Sequence, residues 1–342
     1  MDRKPPVPFP AQPGGYSVSE YQCSHCPGIV LISRRGGGIL PQALADKLVI
    51  AISSRALFDL EESNRVFEEE GLERYAEYQI AHEDIPLAPG TAFPLIRRLL
   101  ALKDPETGQG AVEVILVSKN DANTGLRVFN SIEHHKINIT RAAFTCGRSP
   151  YTYLSAFKAD LFLSANPEDV SLALQHGYAS ATLLTGPEYP DDDTDEIRIA
   201  FDGDAVLFSD EAERVFKSKG LEDFTRHEVE KQEIPLSPGP FKGFLEALNR
   251  LQTAYRARNM RPIRTALVTA RQAPSHKRAI KTLRHWGVTV DEAFFLGGLN
   301  KEPILEKFRP HIFFDDQQTY CLPASRYVPT GHVPAGIANE KG

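Results

Sequence analysis

Residues 197–208 read IRIAFDGDAVLF. A short branched-aliphatic and aromatic run stops abruptly at two aspartates around a glycine. An apolar run of this length, bounded by a turn signal, is a buried strand. Runs of the same kind lie on either side: DKLVIAI (46–52), VEVILV (112–117), LFLSA (161–165), RTALVT (264–269) and HIFF (311–314). Between them come helical stretches such as PFKGFLEALNRLQTAYRA (240–257) and HKRAIKTLRHWG (276–287). In the first of these, Phe244, Leu248 and Leu251 share one helical face. Strand and helix in alternation predict an α/β fold with a mainly parallel sheet.

The chain also repeats itself. RVFEEEGLE (65–73) returns as RVFKSKGLE (214–222), and EDIPLAPG (83–90) as QEIPLSPG (232–239), both 149 residues later. FKADLFLSA (157–165) matches FRPHIFFDD (308–316) at nearly the same offset. A period this long is not a solenoid unit. It predicts two tandem Rossmann-like, three-layer α/β/α domains, at 47–185 and 197–338. An acidic linker, 186–196, joins them, and a Pro/Gly-rich extension, 1–46, precedes them.

The bulk properties narrow the classes. The 342 residues suffice for two domains, and 42% hydrophobic with 25% charged residues is the soluble globular range. A net charge of −6 argues against a nucleic-acid partner, which would call for a basic face. No apolar run approaches the roughly 18 residues needed to span a bilayer, and no apolar signal-peptide core follows Met1. Four cysteines make no disulfide framework, so a reducing, cytoplasmic setting is expected. Cys23 and Cys26 read as two loop thiols or as half of a zinc site whose other half is missing.

In an open parallel sheet, ligands bind at the carboxyl ends of the strands. The second copy places Asp202 and Asp204, then Thr269, then Asp315 and Asp316 at or near such ends, with Lys301 just before the last strand. Crowded carboxylates repel one another unless a cation neutralises them, and hard oxygen ligands favour Mg2+. A threonine hydroxyl and a lysine can hold phosphoryl oxygens. One carboxylate can attack phosphorus while another transfers protons. Gly203 allows an unusual turn where the metal approaches.

The strings IAFDGDAV, LVTAR, GGLNKEP and IFFDDQ resemble, in order, the four motifs of the haloacid dehalogenase superfamily. The longer strings AFDGDAVLFSDEAERV, PFKGFLEALNRLQ and RPHIFFDDQ, with SSRALFDLEE (53–62) of the first copy, resemble the cytosolic type I 5′-nucleotidases. That resemblance implies magnesium-dependent hydrolysis of AMP-like nucleoside 5′-monophosphates through an aspartyl-phosphate. Asp202 matches the nucleophile, Asp204 the acid/base, and Thr269 and Lys301 the phosphate-binding residues. Asp315 matches a metal carboxylate, with Asp316 beside it. The carboxylate of Asp202 and the carbonyl of Asp204 complete the metal set. It also implies a helical cap over the second copy at about 209–234, where Phe216, Phe224 and His227 either stack on a base or pack the cap. A homo-oligomer is a further expectation.

The first copy aligns Ser53 with Asp202, Arg55 with Asp204, Ser118 with Thr269, Pro150 with Lys301, and Ser164 and Ala165 with Asp315 and Asp316. It has no nucleophile and no metal carboxylate. Ser53, Arg55, Ser118 and Asn120 remain as a polar set. They form an effector site (ADP-like by the resemblance), or the copy serves packing alone, or it shapes the mouth of the second copy. Other readings of the whole are a phosphatase of the same superfamily acting on another small ester, a nucleotide-binding regulator without turnover, and a phosphotransferase.

Overall fold

The computed structural model describes residues 16–20, 30–34, 44, 47–187, 189 and 194–340. Cys23 and Cys26, most of the 1–46 extension and positions 188 and 190–193 of the acidic linker lie outside the described residues. Within the extension, β1 (Tyr16–Glu20) and β2 (Val30–Arg34) form an antiparallel pair.

The first half runs β3 (Leu48–Ile52), α1 (Ser54–Leu57), α2 (Glu61–Ala81), α3 (Phe93–Ala101), β4 (Val112–Ser118), α4 (Ala122–His134), β5 (Arg141–Phe144), α5 (Leu154–Phe157), β6 (Leu161–Ser164), α6 (Pro167–Gln175) and β7 (Ser180–Leu183). The second runs β8 (Ile197–Phe201), α7 (Glu211–Glu230), α8 (Lys242–Arg256), β9 (Ile263–Thr269), α9 (His276–His285), β10 (Glu292–Phe295), α10 (Glu302–Phe308), β11 (Ile312–Asp315), α11 (Gln318–Ala324) and β12 (Thr330–His332). The fold is α/β, and its large sheet is mostly parallel. Ten described strands form that one sheet, in the order β10-β9-β8-β11-β12-β7-β6-β3-β4-β5. Every neighbour pair is parallel except β12 with β7, where the halves meet antiparallel through Gly331–Leu183 and His332–Thr182. Counting outward from this seam, each half has its fifth, fourth, first, second and third strand in turn.

The pattern of burial explains the layers. All five residues of β3 and of β8 are buried, as expected for parallel strands covered on both faces. Alternate β3 side chains enter different cores. Leu48, Ile50 and Ile52 join one that also takes Phe201 and Phe314 of the second half, while Val49 and Ala51 pack with Phe162 and Leu154. On the shared face α3 packs against β8 and α8 against β3, so each half's helix covers the other half's strand. Helix α8 buries Phe244, Leu245, Leu248 and Leu251 on one side, each contributing about 1.5–3 kcal/mol before entropy is charged. Among the described residues, no helix is long and apolar enough to cross a membrane.

Helix α7 fills the segment expected to form a cap, with a break at Gly220 (φ 84°, ψ −177°). The first half carries the same device: α2 is broken at Gly71 (φ 86°, ψ −178°). The cap-like helix is therefore a property of both halves, not of the second alone. Both breaks need a backbone conformation that only glycine adopts cheaply, which explains why GLE recurs in the repeated string.

Candidate active site

Asp202 immediately follows β8, Thr269 ends β9, and Asp315 ends β11 with Asp316 next to it. The parallel register brings these strand ends to one edge of the sheet. Lys301 reaches the same point from the N-cap of α10. Its Nζ donates to Asp202 Oδ1 and to Asp315 Oδ2, both at 2.6 Å, and it is fully enclosed. Burial alone would lower the Lys301 ammonium, but Asp202 and Asp315 outweigh it and hold the group well above its usual range.

One lysine is too little charge for this cluster. Asp202, Asp315 and Asp316 each present an oxygen within 4.8 Å of the others, all from buried side chains. Burial, with the Asp315 and Asp204 charges added, pushes Asp202 up to about 7 despite Lys301. Asp316 is pushed up to about 10 by burial and then by Asp202, Asp315 and Glu213. Neither carboxylate oxygen of Asp316 has a hydrogen-bond partner, although both are buried. Its main-chain carbonyl, by contrast, is held by Asn339 Nδ2 at 2.8 Å and lies 3.0 Å from His332 Nε2. A carboxylate whose backbone is pinned while its oxygens are left open is placed to receive a cation. The donor set, all carboxylate oxygen, suits a hard divalent ion.

Asp204 lies apart from this cluster. Arg271 grips its carboxylate with two bonds, Nε to Oδ2 at 2.8 Å and Nη2 to Oδ1 at 2.7 Å. The third arm of Arg271 meets Glu228 of α7, and Glu228 also accepts from Arg278 Nη1 of α9 at 2.8 Å. Arg278 further pairs with Glu211 and donates to the carbonyl of Ile234 at 2.8 Å. Burial would raise the Glu228 carboxyl, yet Arg271 and Arg278 hold it below the ordinary range. The cap-like helix is thus clamped to the sheet edge by an ionic chain ending on Asp204. Phe224 sits under Arg271 and packs edge-on with Phe216, while the His227 ring adjoins Glu228. These side chains pack within this state of the helix.

The turn after β8 is irregular over Gly203–Leu207. The left-handed residue is Ala205 (φ 59°), not Gly203. Gly203 instead gives close approach, because a Cβ there would stand 3.1 Å from Thr269 Oγ1 and crowd it. Thr269 Oγ1 in turn accepts from the Arg271 amide at 3.2 Å.

Arg271, Glu228 and Arg278 went unassigned in the sequence reading, although Arg271 is the last letter of LVTAR. The repeat held the missing signal. At the 149-residue offset Glu228 corresponds to Gln79, and Arg271, two residues past Thr269, corresponds to Asn120, two past Ser118. The acid and Arg271 change together, while Arg278 is kept as Arg127, whose Nε donates to the carbonyl of Ile85 at 3.0 Å as Arg278 does to Ile234.

In the first half, Ser53 follows β3 and Ser118 ends β4. Ser54 Oγ lies 3.1 Å from Ser118 Oγ, where the second half has Gly203 beside Thr269. Tyr75 donates to Asn120 Oδ1 at 2.9 Å, Gln79 Nε2 to Tyr75 at 3.0 Å, and Arg127 Nη1 to Gln79 Oε1 at 3.2 Å. Arg55 pairs with Glu61 at 3.2 Å. A cavity of about 450 Å3 opens above this set.

Residues 40–340 match the family model described as 5′-nucleotidase, which therefore spans both halves. The chain is similar to cytosolic 5′-nucleotidase 1B of Homo sapiens, with 44% identity over 311 residues. The match covers 88% of this chain and 50% of that protein, so the chain spans about half the length of the curated relative. A solved structure, histidinol dehydrogenase from Elizabethkingia anophelis, aligns with a TM-score of 0.21 and 9% identity over 94% of this chain and 57% of that one, too low to bear on the fold. With the family match running through both halves and the buried carboxylates alike, the chain belongs to the 5′-nucleotidase family.

Proposed function

We propose that the second half hydrolyses nucleoside 5′-monophosphates of the AMP type to nucleoside and phosphate, with Mg2+, in the cytosol. The observation that carries this reading is Asp316. It is a buried carboxylate with both oxygens open, beside Asp202 and Asp315 at the sheet edge. Those three residues would hold the ion, with the Asp204 carbonyl as a further ligand. When bound, Mg2+ supplies the positive charge that lets the carboxylates ionise together and that offsets charge on the phosphoryl oxygens.

The chain's own residues then divide the work. Lys301 and Thr269 hold the phosphoryl oxygens. Asp202 attacks phosphorus, forming an acyl phosphate as the bond from phosphorus to the ribose 5′-oxygen breaks. Protonated Asp204 gives its proton to that oxygen. The ionised Asp204 then takes a proton from water, which opens the acyl phosphate and restores Asp202. The Arg271 fork fits the ionised form of Asp204, so that pair loosens when Asp204 carries the proton. Arg271 is a positioning residue in this scheme, and Glu228 positions Arg271 in turn.

The shared strand order, the twin broken helices and the fixed offset support a tandem duplication, with domains at 47–185 and 197–338, a linker at 186–196 and hydrolysis in the second alone. An ADP-like effector on the first half and a homo-oligomer belong to the same reading. A phosphate-release panel of AMP, other nucleoside monophosphates and sugar phosphates tests it. Release from AMP that disappears in Asp202→Asn is expected. Equal release from sugar phosphates would overturn the substrate assignment.

A further inference from the structure

Helix α7 also turns inward an acid that the ionic clamp does not use. Glu211 and Glu228 of this helix are answered by the buried arginines Arg278 and Arg271. Glu213 is not. Its side chain is only 10% exposed, and its cationic partner, Lys217 at 3.0 Å, lies 40% exposed one turn along. Lys217 and the side-chain amide of Gln317, the latter at 3.2 Å, both meet Oε1. Oε2 is buried and accepts from nothing.

Gln317 fixes where that carboxylate stands. Its side chain holds Glu213, and its main-chain N–H donates to Asp315 Oδ1 at 2.9 Å. A single residue thus links Glu213 of the helix to a carboxylate of the candidate metal site. The charges feel one another. Glu213 helps to raise Asp316, and burial, followed by the Asp204 and Asp210 charges, pushes Glu213 itself up despite Lys217. Glu213 stands outside the group of Asp202, Asp315 and Asp316, whose oxygens come within 4.8 Å of one another. A divalent ion held by that group would meet Glu213 through water, and Mg2+ keeps several of its waters when bound.

The duplication supplies a control. At the 149-residue offset Glu213 corresponds to Asn64, which lines the first-half cavity. The position therefore faces the sheet edge in both halves. Asn64 Nδ2 donates to Glu68 Oε1 at 2.7 Å, so the contact one turn along persists without an acid here. Where Ser53, Ser164 and Ala165 replace Asp202, Asp315 and Asp316, an amide replaces the helix acid. The acid on the helix and the carboxylates at the strand ends are present together or absent together.

We propose that Glu213 is a positioning residue that accepts a hydrogen bond from a water on the ion held by Asp202, Asp315 and Asp316, so that metal binding also fastens α7 over the site. This rests on the metal reading of those three aspartates. Partners that orient the immediate ligands of a metal typically alter its affinity ten-fold or more when removed.

The test is Mg2+ titration of the full chain by differential scanning fluorimetry, with hydrogen exchange of α7 as a second readout. Glu213→Gln keeps the shape and removes the charge. It should melt in EDTA no lower than wild type, bind Mg2+ about ten-fold more weakly, and lose the slowing of α7 exchange that Mg2+ brings to wild type. Lys217→Ala leaves the carboxylate and removes its exposed partner, so Mg2+ should bind at least as tightly as in wild type. Equal Mg2+ affinity in wild type and Glu213→Gln would overturn the inference while leaving the metal site standing. Equal weakening in Lys217→Ala and Glu213→Gln would reduce Glu213 to a helix ion pair and overturn it too. A wild type that does not respond to Mg2+ at all would remove the metal reading and this inference with it.

Discussion

Replacing Glu228 by glutamine removes one negative charge from a site with no exposed surface and keeps its shape. Two arginines lose their shared partner. Breaking a buried ion pair from one side costs about 3–5 kcal/mol. Here the loss is cushioned, since Arg271 keeps its two bonds to Asp204 and Arg278 keeps Glu211 and the Ile234 carbonyl. The lower end, about 3 kcal/mol, is therefore expected at neutral pH. The folded state holds the Glu228 carboxyl below its unfolded range, because Arg271 and Arg278 outweigh burial. The stability this charge contributes is complete above the unfolded value of about 4.3 and is lost as pH falls through the lower folded value. The gap between wild type and Glu228→Gln should then be widest near pH 7 and narrow below about pH 4. Urea unfolding at pH 7 and at a series of acid pH values measures both features. A variant within about 0.5 kcal/mol of wild type at pH 7, or a deficit that does not change with pH, would refute the clamp.

Asp202→Asn should abolish phosphate release from AMP while circular dichroism and melting remain close to wild type; retained turnover removes Asp202 as nucleophile. Added Mg2+ at about a hundred times its dissociation constant should stabilise wild type by about 2.7 kcal/mol. Asp316→Asn should be more stable than wild type in EDTA, since a crowded buried carboxyl is gone, and should lose the Mg2+ response. Differential scanning fluorimetry reads both, and an undiminished Mg2+ shift in that variant counts against Asp316 as a ligand. Gly239→Ala places a Cβ 2.4 Å from the carbonyl oxygens of Phe208 and Val206 and should cost about 1–3 kcal/mol or more. Gly243→Ala, in α8 with nothing within 4 Å, should instead be neutral or stabilising by up to about 1 kcal/mol. Chemical denaturation of the pair decides whether clearance or helix propensity governs each site.

Much of the architecture was legible because buried parallel strands leave uninterrupted apolar runs. IRIAF and LVIAI announce themselves, and the polar residues that end them mark the functional edge. The 149-residue offset was legible for a related reason: a glycine needed at a left-handed break cannot drift, so GLE marks Gly71 and Gly220 alike. The ionic clamp was not legible. Glu228 and Arg278 lie on two helices and Arg271 in the loop after β9, and nothing local distinguishes a buried salt bridge from a solvated charge run. Neither was the continuity of the sheet, since the β7–β12 ladder is too short and mixed in composition to signal a partner. The unusual turn at Gly203 was legible, but not which residue bends it. Glycine suggests a positive φ, but here it serves close approach, and Ala205 carries the strained angle.

The antiparallel seam has a consequence for dissection of the chain. Neither half owns a complete perimeter. Cutting at the linker would bare β7 on one fragment and β12 on the other, together with the apolar faces of α3 and α8 that each half lends its neighbour. A bared strand is a template for the next strand that fits it. The two fragments are therefore more naturally complementing pieces, recovered by co-expression, than free-standing modules. The two halves share a single interior and are not two bodies on a string.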